Sequence, residues 1–182
     1  EVDIAVDGSG NLHIATVAAL TDANTIWSQV SGSWGVYDLY TTDGGATWNA
    51  QLLAQPPMYG GDYGTDNAGG WRQSPGVQIA TDWNGNKVFI VWSETDPNLD
   101  PTNNYYPDVY VNAWDRATGN WTGAVNATAG AGNIFYHVMA YYVQGTSGTY
   151  ELNIAYQGIQ DATVSLNPVQ FVFLDGVQVT DA

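Results

Sequence analysis

The chain has 182 residues, which is enough for one ordinary domain and too few for two comfortable ones. It contains no cysteine, so zinc–thiolate sites, iron–sulfur clusters, thiol catalysis and disulfides are all excluded. Three Lys and Arg residues stand against 18 Asp and Glu residues, for a net charge of −15, and this balance makes nucleic acids and anionic membranes poor partners.

The composition is typical of a secreted or cell-surface protein. Lysine is scarce, Asn and Thr are abundant, and Asn120 and Asn126 each begin an Asn-x-Thr glycosylation sequon. No apolar run approaches the roughly 18 residues that a membrane-spanning helix needs, so we expect no membrane insertion. The sequence therefore predicts an extracellular glycoprotein.

Short runs of alternating apolar and polar residues occur along the whole chain, beginning with Val2–Val6 and Leu12–Val17. They are rich in β-branched and aromatic residues, and Asp-Gly, Asn-Gly and Gly-Asn pairs that favour tight turns separate them. Later runs of the same kind are Lys87–Trp92, Asp108–Trp114 and Gln170–Leu174. Apolar residues at helical spacing do not persist for ten residues anywhere. We therefore predict an all-β fold of antiparallel strands.

One pattern recurs within the chain, because V-x-I-A-x-D-x-x-G-N fits both residues 2–11 and residues 77–86. So many matches between distant hairpins indicate a repeated supersecondary unit. Each copy is followed by an apolar strand and by a third strand, near Val36–Thr41 in the first copy and Val109–Trp114 in the second.

A third, weaker copy is predicted near the C-terminal end of the sequence. Its strands would be Phe135–Val143, Tyr150–Gln157, Val169–Leu174 and Val177–Thr180, the last two separated by Asp175-Gly176. The prediction is one domain over residues 1–182, built from four-stranded units at about 1–75, 76–130 and 131–182.

Residues Thr41–Trp48, with the sequence TTDGGATW, match S/T-x-D-x-G-x-T-W at all five fixed positions. This stretch resembles the Asp-box of the bacterial neuraminidase repeat in sialidase-like β-propellers, and Asp115–Trp121 resembles a worn copy of it. The chemistry of the motif is that of a turn, because an Asp carboxylate accepts backbone N–H bonds and glycine permits positive φ. The predicted structural residues are Thr41, Asp43, Gly45, Thr47 and Trp48.

The resemblance implies a propeller blade with this turn between its third and fourth strands, away from any active site. Sialidases hold the substrate carboxylate with three arginines, whereas this chain has only Arg72 and Arg116. A sialidase arginine triad therefore cannot form within it, and the expectation leans away from an enzyme.

Three units are too few to close a propeller, which normally has four to eight blades. The chain is then part of a longer ring, or partner chains complete the ring, or the strands form a two-sheet β-sandwich or jelly roll. All three alternatives stay open at the level of sequence.

Calcium is the candidate cofactor, and no motif for an organic cofactor occurs. Asp96, Asn98 and Asp100 place oxygen ligands at alternate positions, a spacing that lets a curved loop aim them at one hard cation. The alternative is a polar loop stiffened by prolines. Asp7-x-Ser9-x-Asn11 and Asp82-x-Asn84-x-Asn86 have similar spacing, but turn chemistry explains them without an ion.

A long segment between the first two units carries aromatic and polar residues that suit ligand binding. They could stack on sugar rings or a partner chain, or the segment could cover a sheet edge. The candidate ligand-binding residues are Tyr59, Asp62, Tyr63, Asp66, Trp71 and Arg72.

Three further residues carry side chains that could take part in chemistry. Glu94 is a candidate member of a glycosidase carboxylate pair, but a solvated acid at the rim is the favoured interpretation. His13 and His137 each stand alone in a strand, so we expect them to be hydrogen-bonded structural residues.

The leading functional hypothesis is a non-catalytic extracellular module that assembles with neighbouring chains, through strand complementation and calcium. The alternative is a glycan-binding module or an excised part of an Asp-box glycoside hydrolase.

Overall fold

The computed structural model describes residues 2–19, 34–56, 76–96, 98–99, 107–128, 134–146, 148–159 and 169–180. These residues form β-strands and turns, with no helix among them, so the predicted all-β class is confirmed. The strands are β1 (Val2–Val6), β2 (Leu12–Ala19), β3 (Trp34–Tyr40), β4 (Asn49–Ala54), β5 (Gln78–Asp82), β6 (Lys87–Thr95), β7 (Pro107–Asp115), β8 (Asn120–Trp121), β9 (Val125–Asn126), β10 (Ile134–Met139), β11 (Tyr142–Thr146), β12 (Thr149–Ile159) and β13 (Val169–Thr180).

The first sheet is an antiparallel meander in the order β1-β2-β3-β4. The middle sheet repeats this arrangement with β5, β6 and β7. The short strands β8 and β9 both pair with β7 and together take the place of the fourth strand. The turns after β1 and β5, which carry the repeated sequence pattern, contact each other through a 2.8 Å hydrogen bond from Gly8 N to Gly85 O. The repeat therefore places two equivalent hairpins side by side.

In the described part of the chain the third sheet has four strands, but they are divided differently from the prediction, because β10 and β11 replace the single predicted strand Phe135–Val143. β10 and β11 lie end to end along one edge of β12, and β13 pairs with its other edge. β13 runs without a break from Val169 to Thr180, so the prediction of two strands separated by Asp175-Gly176 was wrong. A register shift between Leu152 and Ile154 on β12 accommodates this stretch inside the ladder.

A short parallel pairing joins the third sheet to the middle one, with Tyr142 opposite Thr81 and Val143 opposite Asp82. The predicted antiparallel pattern holds for every other described pairing. Thr81 N also donates to Tyr141 O, and Met139 N donates to the side chain of Gln78. These bonds fix the third sheet against β5.

The middle sheet is packed on both of its faces. On β6, Val88, Ile90 and Trp92 pack toward the first sheet, whereas Phe89 and Val91 pack toward the third sheet. All five side chains are fully buried. A continuous apolar run is the pattern of a strand that is covered on both sides, so the sequence of β6 reflects its central place.

Three layers of strands therefore pack face to face, with one core on each side of the middle sheet. Through the pairing of β11 with β5, the described strands of the middle and third sheets are two parts of one nine-stranded sheet. Among the described residues, no helix has the length and apolar character needed to span a membrane.

Candidate functional site

The outer face of the first sheet is the face turned away from the middle sheet. Because strand residues alternate between faces, this face carries Val2, Ile4 and Val6 of β1 and, in register with them, Thr16, Ile14 and Leu12 of β2. Val2, Ile4 and Val6 are 60%, 55% and 55% exposed. The face continues across β3 and β4 with Tyr37, Leu39, Ala50 and Leu52.

The charged residues of the first sheet lie on its opposite, inner face. The strands β1 to β4 contain two acids, Asp3 and Asp38. Asp3 accepts a 3.0 Å hydrogen bond from Ile79 N of the middle sheet, and Asp38 is fully buried. The usual polarity of a surface sheet is thus inverted, since the exposed face is uncharged and the buried face carries the acids.

Asp38 forms a buried pair with His13 of the neighbouring strand. The Nδ1–H of His13 donates to Asp38 Oδ2 at 2.8 Å, and the imidazole lies against Tyr40 and Trp114 with ring centroids 5.7 and 4.8 Å away. His13 Nε2 and Asp38 Oδ1 have no hydrogen-bond partner among the described residues. The expectation of a hydrogen-bonded His13 is therefore met at one ring nitrogen only.

The outer face of the third sheet is also partly apolar. Phe173 lies opposite Ala155, and Ala155 lies opposite Val138, so these three side chains form a row across β13, β12 and β10. Phe173 is 61% exposed, and Phe171, two residues earlier on the same face, is 86% exposed. Toward the other end of β12 the same face becomes polar with Glu151 and Gln178.

The tight turns and the long connections lie at opposite ends of the stack. The turns at residues 7–11, 41–48, 83–86 and 116–119 all follow strands that run in one direction. Contacts between Gly8 and Gly85, and from the Arg116 guanidinium to Ser9 and Asn86, hold three of these turns together. The longer connections therefore leave and re-enter the sheets at the other end, called here the connection end.

Several acids of the middle sheet gather at the connection end. Glu94 of β6 lies directly opposite Asp108 of β7, and Trp92 stacks on Tyr110 with ring centroids 6.1 Å apart. Glu94 is half-buried, so the interpretation as a solvated rim acid was wrong. Burial, with a smaller contribution from the charge of Asp96, raises the pKa of Glu94 from 4.5 to about 7.

Asp108 is held by the residues of the second sequon. Asn126 donates its side-chain amide to Asp108 Oδ2 at 2.9 Å, and Thr128 donates its hydroxyl to Asp108 Oδ1 at 3.1 Å. Asn126 is thus half-buried and engaged in the fold, whereas Asn120 of the first sequon is exposed on β8. Of the two predicted glycosylation sites, Asn120 is the accessible one.

The residues Thr41–Trp48, whose sequence resembles an Asp-box, form a closed hydrogen-bond network in the turn between β3 and β4. The hydroxyl of Thr41 donates to Asp43 at 2.9 Å and accepts from Gly45 N at 2.8 Å. Thr47 donates to Asp43 twice, through its N–H at 2.9 Å and its hydroxyl at 2.6 Å. Gly44 and Gly45 have φ of 70° and 95°, which favours glycine. Trp48 is half exposed.

The worn copy at Asp115–Trp121 occupies the equivalent turn of the middle sheet, between β7 and β8. Asp115 accepts a 2.9 Å bond from Ala117 N, and Gly119 has φ of 71°. Both motifs therefore act as turns at the end of the molecule that carries the tight turns, remote from the acids at the connection end.

The hydrogen bonds of Thr47, and then that of Thr41, lower the pKa of the Asp43 carboxyl from 3.8 to about 2. This group therefore stabilises the fold above pH 3.8, and its contribution is lost as the pH falls through about 2.

We expect Thr47→Val, which removes the strongest donor, to raise the pKa of Asp43 toward 3.8. A carboxyl titration followed by NMR measures it, with Thr42→Val as the control. An unchanged midpoint in Thr47→Val would contradict the assignment.

The predicted calcium loop is described in part. Asp96 Oδ1 accepts 2.8 Å bonds from both the backbone and the side-chain N–H groups of Asn98, while Asp100 lies outside the described residues. The described residues contain no group of three His, Asp or Glu side chains arranged to hold a metal ion. Calcium binding by Asp96, Asn98 and Asp100 stays a prediction.

The hairpins at Asp7–Asn11 and Asp82–Asn86 also carry oxygen-bearing side chains at alternate positions, and turn chemistry explains them. Asp7 accepts bonds from the backbone of Ser9 and Asn11, and Asp82 accepts one from Lys87 N. The candidate ligand-binding residues of the long segment, from Tyr59 to Arg72, all lie outside the described residues. Their role in binding stays a prediction.

Comparison with known proteins does not assign the chain to a family. No family model matches the chain, and no curated protein matches it either.

Sequence reasoning missed the outer face of the first sheet. The sequence does contain a signal for this face, because the acids of β1 and β3 alternate with Val, Ile, Leu and Tyr. An acid in an alternating strand is, however, usually assigned to the side that faces solvent. The buried pair of Asp38 and His13 reverses that assignment here.

Proposed function

We propose that the chain is a non-catalytic structural module of an extracellular assembly, in which neighbouring copies join through their uncovered sheet faces. The observation that carries this proposal is the outer face of the first sheet, which is apolar and exposed and carries no charge in a chain with a net charge of −15. Contiguous exposed apolar patches of this kind mark interaction sites.

The distribution of charge supports self-association. Two copies that each carry −15 repel one another, so a contact between them is favourable only where acids are absent. The four strands of the first sheet meet this condition on their outer face, because Asp3 and Asp38 lie on the inner one. The acids thus keep the chain soluble without occupying the surface that would be buried.

The extracellular setting rests on composition and on the exposed sequon at Asn120. Calcium at Asp96, Asn98 and Asp100 would lessen repulsion between acidic copies, and this is the role we propose for it. The glycan-binding alternative depends on the segment that includes Tyr59, Tyr63 and Trp71, which lies outside the described residues.

Sedimentation equilibrium over about 1–200 μM protein tests this proposal, a range that brackets micromolar association. We expect the mass to rise above that of one chain as the concentration increases, and to rise further in high salt because screening weakens the repulsion. Parallel runs with calcium and with chelator measure the contribution of the metal. A mass of one chain at every concentration, salt level and calcium level would contradict the proposal.

A further inference from the structure

We infer that the outer face of the first sheet binds the outer face of the third sheet of a second copy, so that two such contacts close a dimer of six stacked sheets. This inference rests on the proposed function and names the partner surface.

The packing inside one copy shows how such faces are covered. The first sheet and the third sheet each bury their inner face against a face of the middle sheet. Each is left with one outer face, and both outer faces expose large apolar side chains, including Ile4 on one and Phe173 on the other. A contact between the two unlike faces covers both, whereas a contact between two first sheets leaves Phe171 and Phe173 in water.

The area of the faces favours two contacts over one. The face of the third sheet is the narrower one, because β10 and β11 lie end to end and the described sheet is three strands wide. With a strand spacing of about 4.8 Å and a rise of about 3.4 Å per residue, a three-stranded face five residues long measures roughly 14 by 17 Å. One contact of this size between two corrugated faces buries on the order of 750 Å² in total, below the roughly 1,200–2,000 Å² of a stable specific complex. Two contacts in a closed dimer bury about 1,500 Å² and fall within that range.

The number of sheets also favours closure at two copies. Unlike faces that meet head to tail form a ring if the rotation between copies closes, and an open filament if it does not. Two copies supply six sheets, within the four to eight that radial stacks of sheets contain, while three copies would supply nine. Glu151 and Gln178 mark the polar end of the third sheet's face, where we place the rim of each contact.

Two single substitutions and their mixture test the inference. Ile4→Glu puts a charge on the first sheet's outer face, and Phe173→Glu puts one on the third sheet's outer face. Each site is more than half exposed in one copy, so the chain should fold normally, which circular dichroism and thermal melting check. Asn120→Asp adds a charge at an exposed position outside both faces and serves as the matched control.

We expect each Glu variant alone to weaken the dimer at least about 30-fold, because both contacts then contain an unpaired charge. Mixing the two variants should restore a weaker dimer, since one contact in the mixed pair joins two unaltered faces. Asn120→Asp should behave as the original chain. Sedimentation of the original chain should stop at the mass of two copies.

Two results would overturn the inference while leaving the proposed function in place. Loss of the dimer in Ile4→Glu but not in Phe173→Glu would indicate that two first sheets pair with each other. A mass that grows beyond two copies would indicate an open filament. Two other results would overturn the proposed function as well: a dimer unaffected by both substitutions, which would indicate pairing elsewhere, such as along the edge of β13, and a chain that stays monomeric throughout.

Discussion

Replacing Asp38 by alanine is expected to destabilise the fold by about 1–3 kcal/mol, the usual cost of leaving a buried hydrogen-bonding group without its partner. Asp38 is fully buried on the inner face of the first sheet, and it accepts the Nδ1–H of His13 at 2.8 Å. The substitution leaves that N–H without an acceptor against Tyr40 and Trp114, where water does not reach. Chemical denaturation at low protein concentration measures the loss.

Two controls separate the pair from general damage to β3. Asp38→Asn keeps an oxygen that can accept from His13, so we expect it to cost much less than alanine. Gln51→Ala, at the exposed position opposite Asp38 on β4, should change stability by no more than about 0.5 kcal/mol. A destabilisation below about 1 kcal/mol in Asp38→Ala would show that the hydrogen bond between Asp38 and His13 does not stabilise the fold.

Glu94→Gln is expected to stabilise the protein at pH 8 by about 2 kcal/mol and to have little effect at pH 4. Burial raises the pKa of Glu94 from 4.5 to about 7, so the folded protein keeps this proton over a range in which the unfolded chain has lost it. The stabilisation from the protonated carboxyl is present below pH 4.5 and is lost as the pH rises through about 7. Gln is neutral throughout and therefore removes this dependence.

Denaturation curves between pH 4 and pH 8 measure the effect. Glu151→Gln removes the same charge from an exposed position on β12, and it separates the burial of Glu94 from a general reduction in negative charge. A constant difference in stability between Glu94→Gln and the original chain at all pH values would contradict the assignment.

Much of the fold was predictable because strand residues alternate and turn residues are specific. The alternation in β1 and β2, the apolar run of β6 and the turn residues of Thr41–Trp48 all predicted their local structures. The continuous β13 was not predictable, since Asp175-Gly176 is typical of a hairpin turn and only its pairing along β12 keeps the strand extended. The parallel contact between β11 and β5 depends on tertiary packing that no local pattern records.

The candidate site was less predictable than the fold. Which face of a strand is buried depends on the neighbouring sheet, and in β1 and β3 the acids lie inside while Val2, Ile4 and Leu39 lie outside. Glu94 is also partly buried, although its place near the end of β6 predicted exposure to water. A single sequence shows which residues a strand contains, but it does not show which face of that strand another sheet covers.

Hydroxyl-radical footprinting of the original chain at low and high concentration tests the central claim most directly, because it measures the exposure of individual side chains. We expect oxidation of Phe171 and Phe173 to fall several-fold as the concentration rises, while Trp83, which is 80% exposed in a tight turn outside both faces, stays equally reactive. Equal oxidation of Phe171 and Phe173 at both concentrations, in a sample that sedimentation shows to be assembled, would contradict the claim that the outer sheet faces hold the copies together.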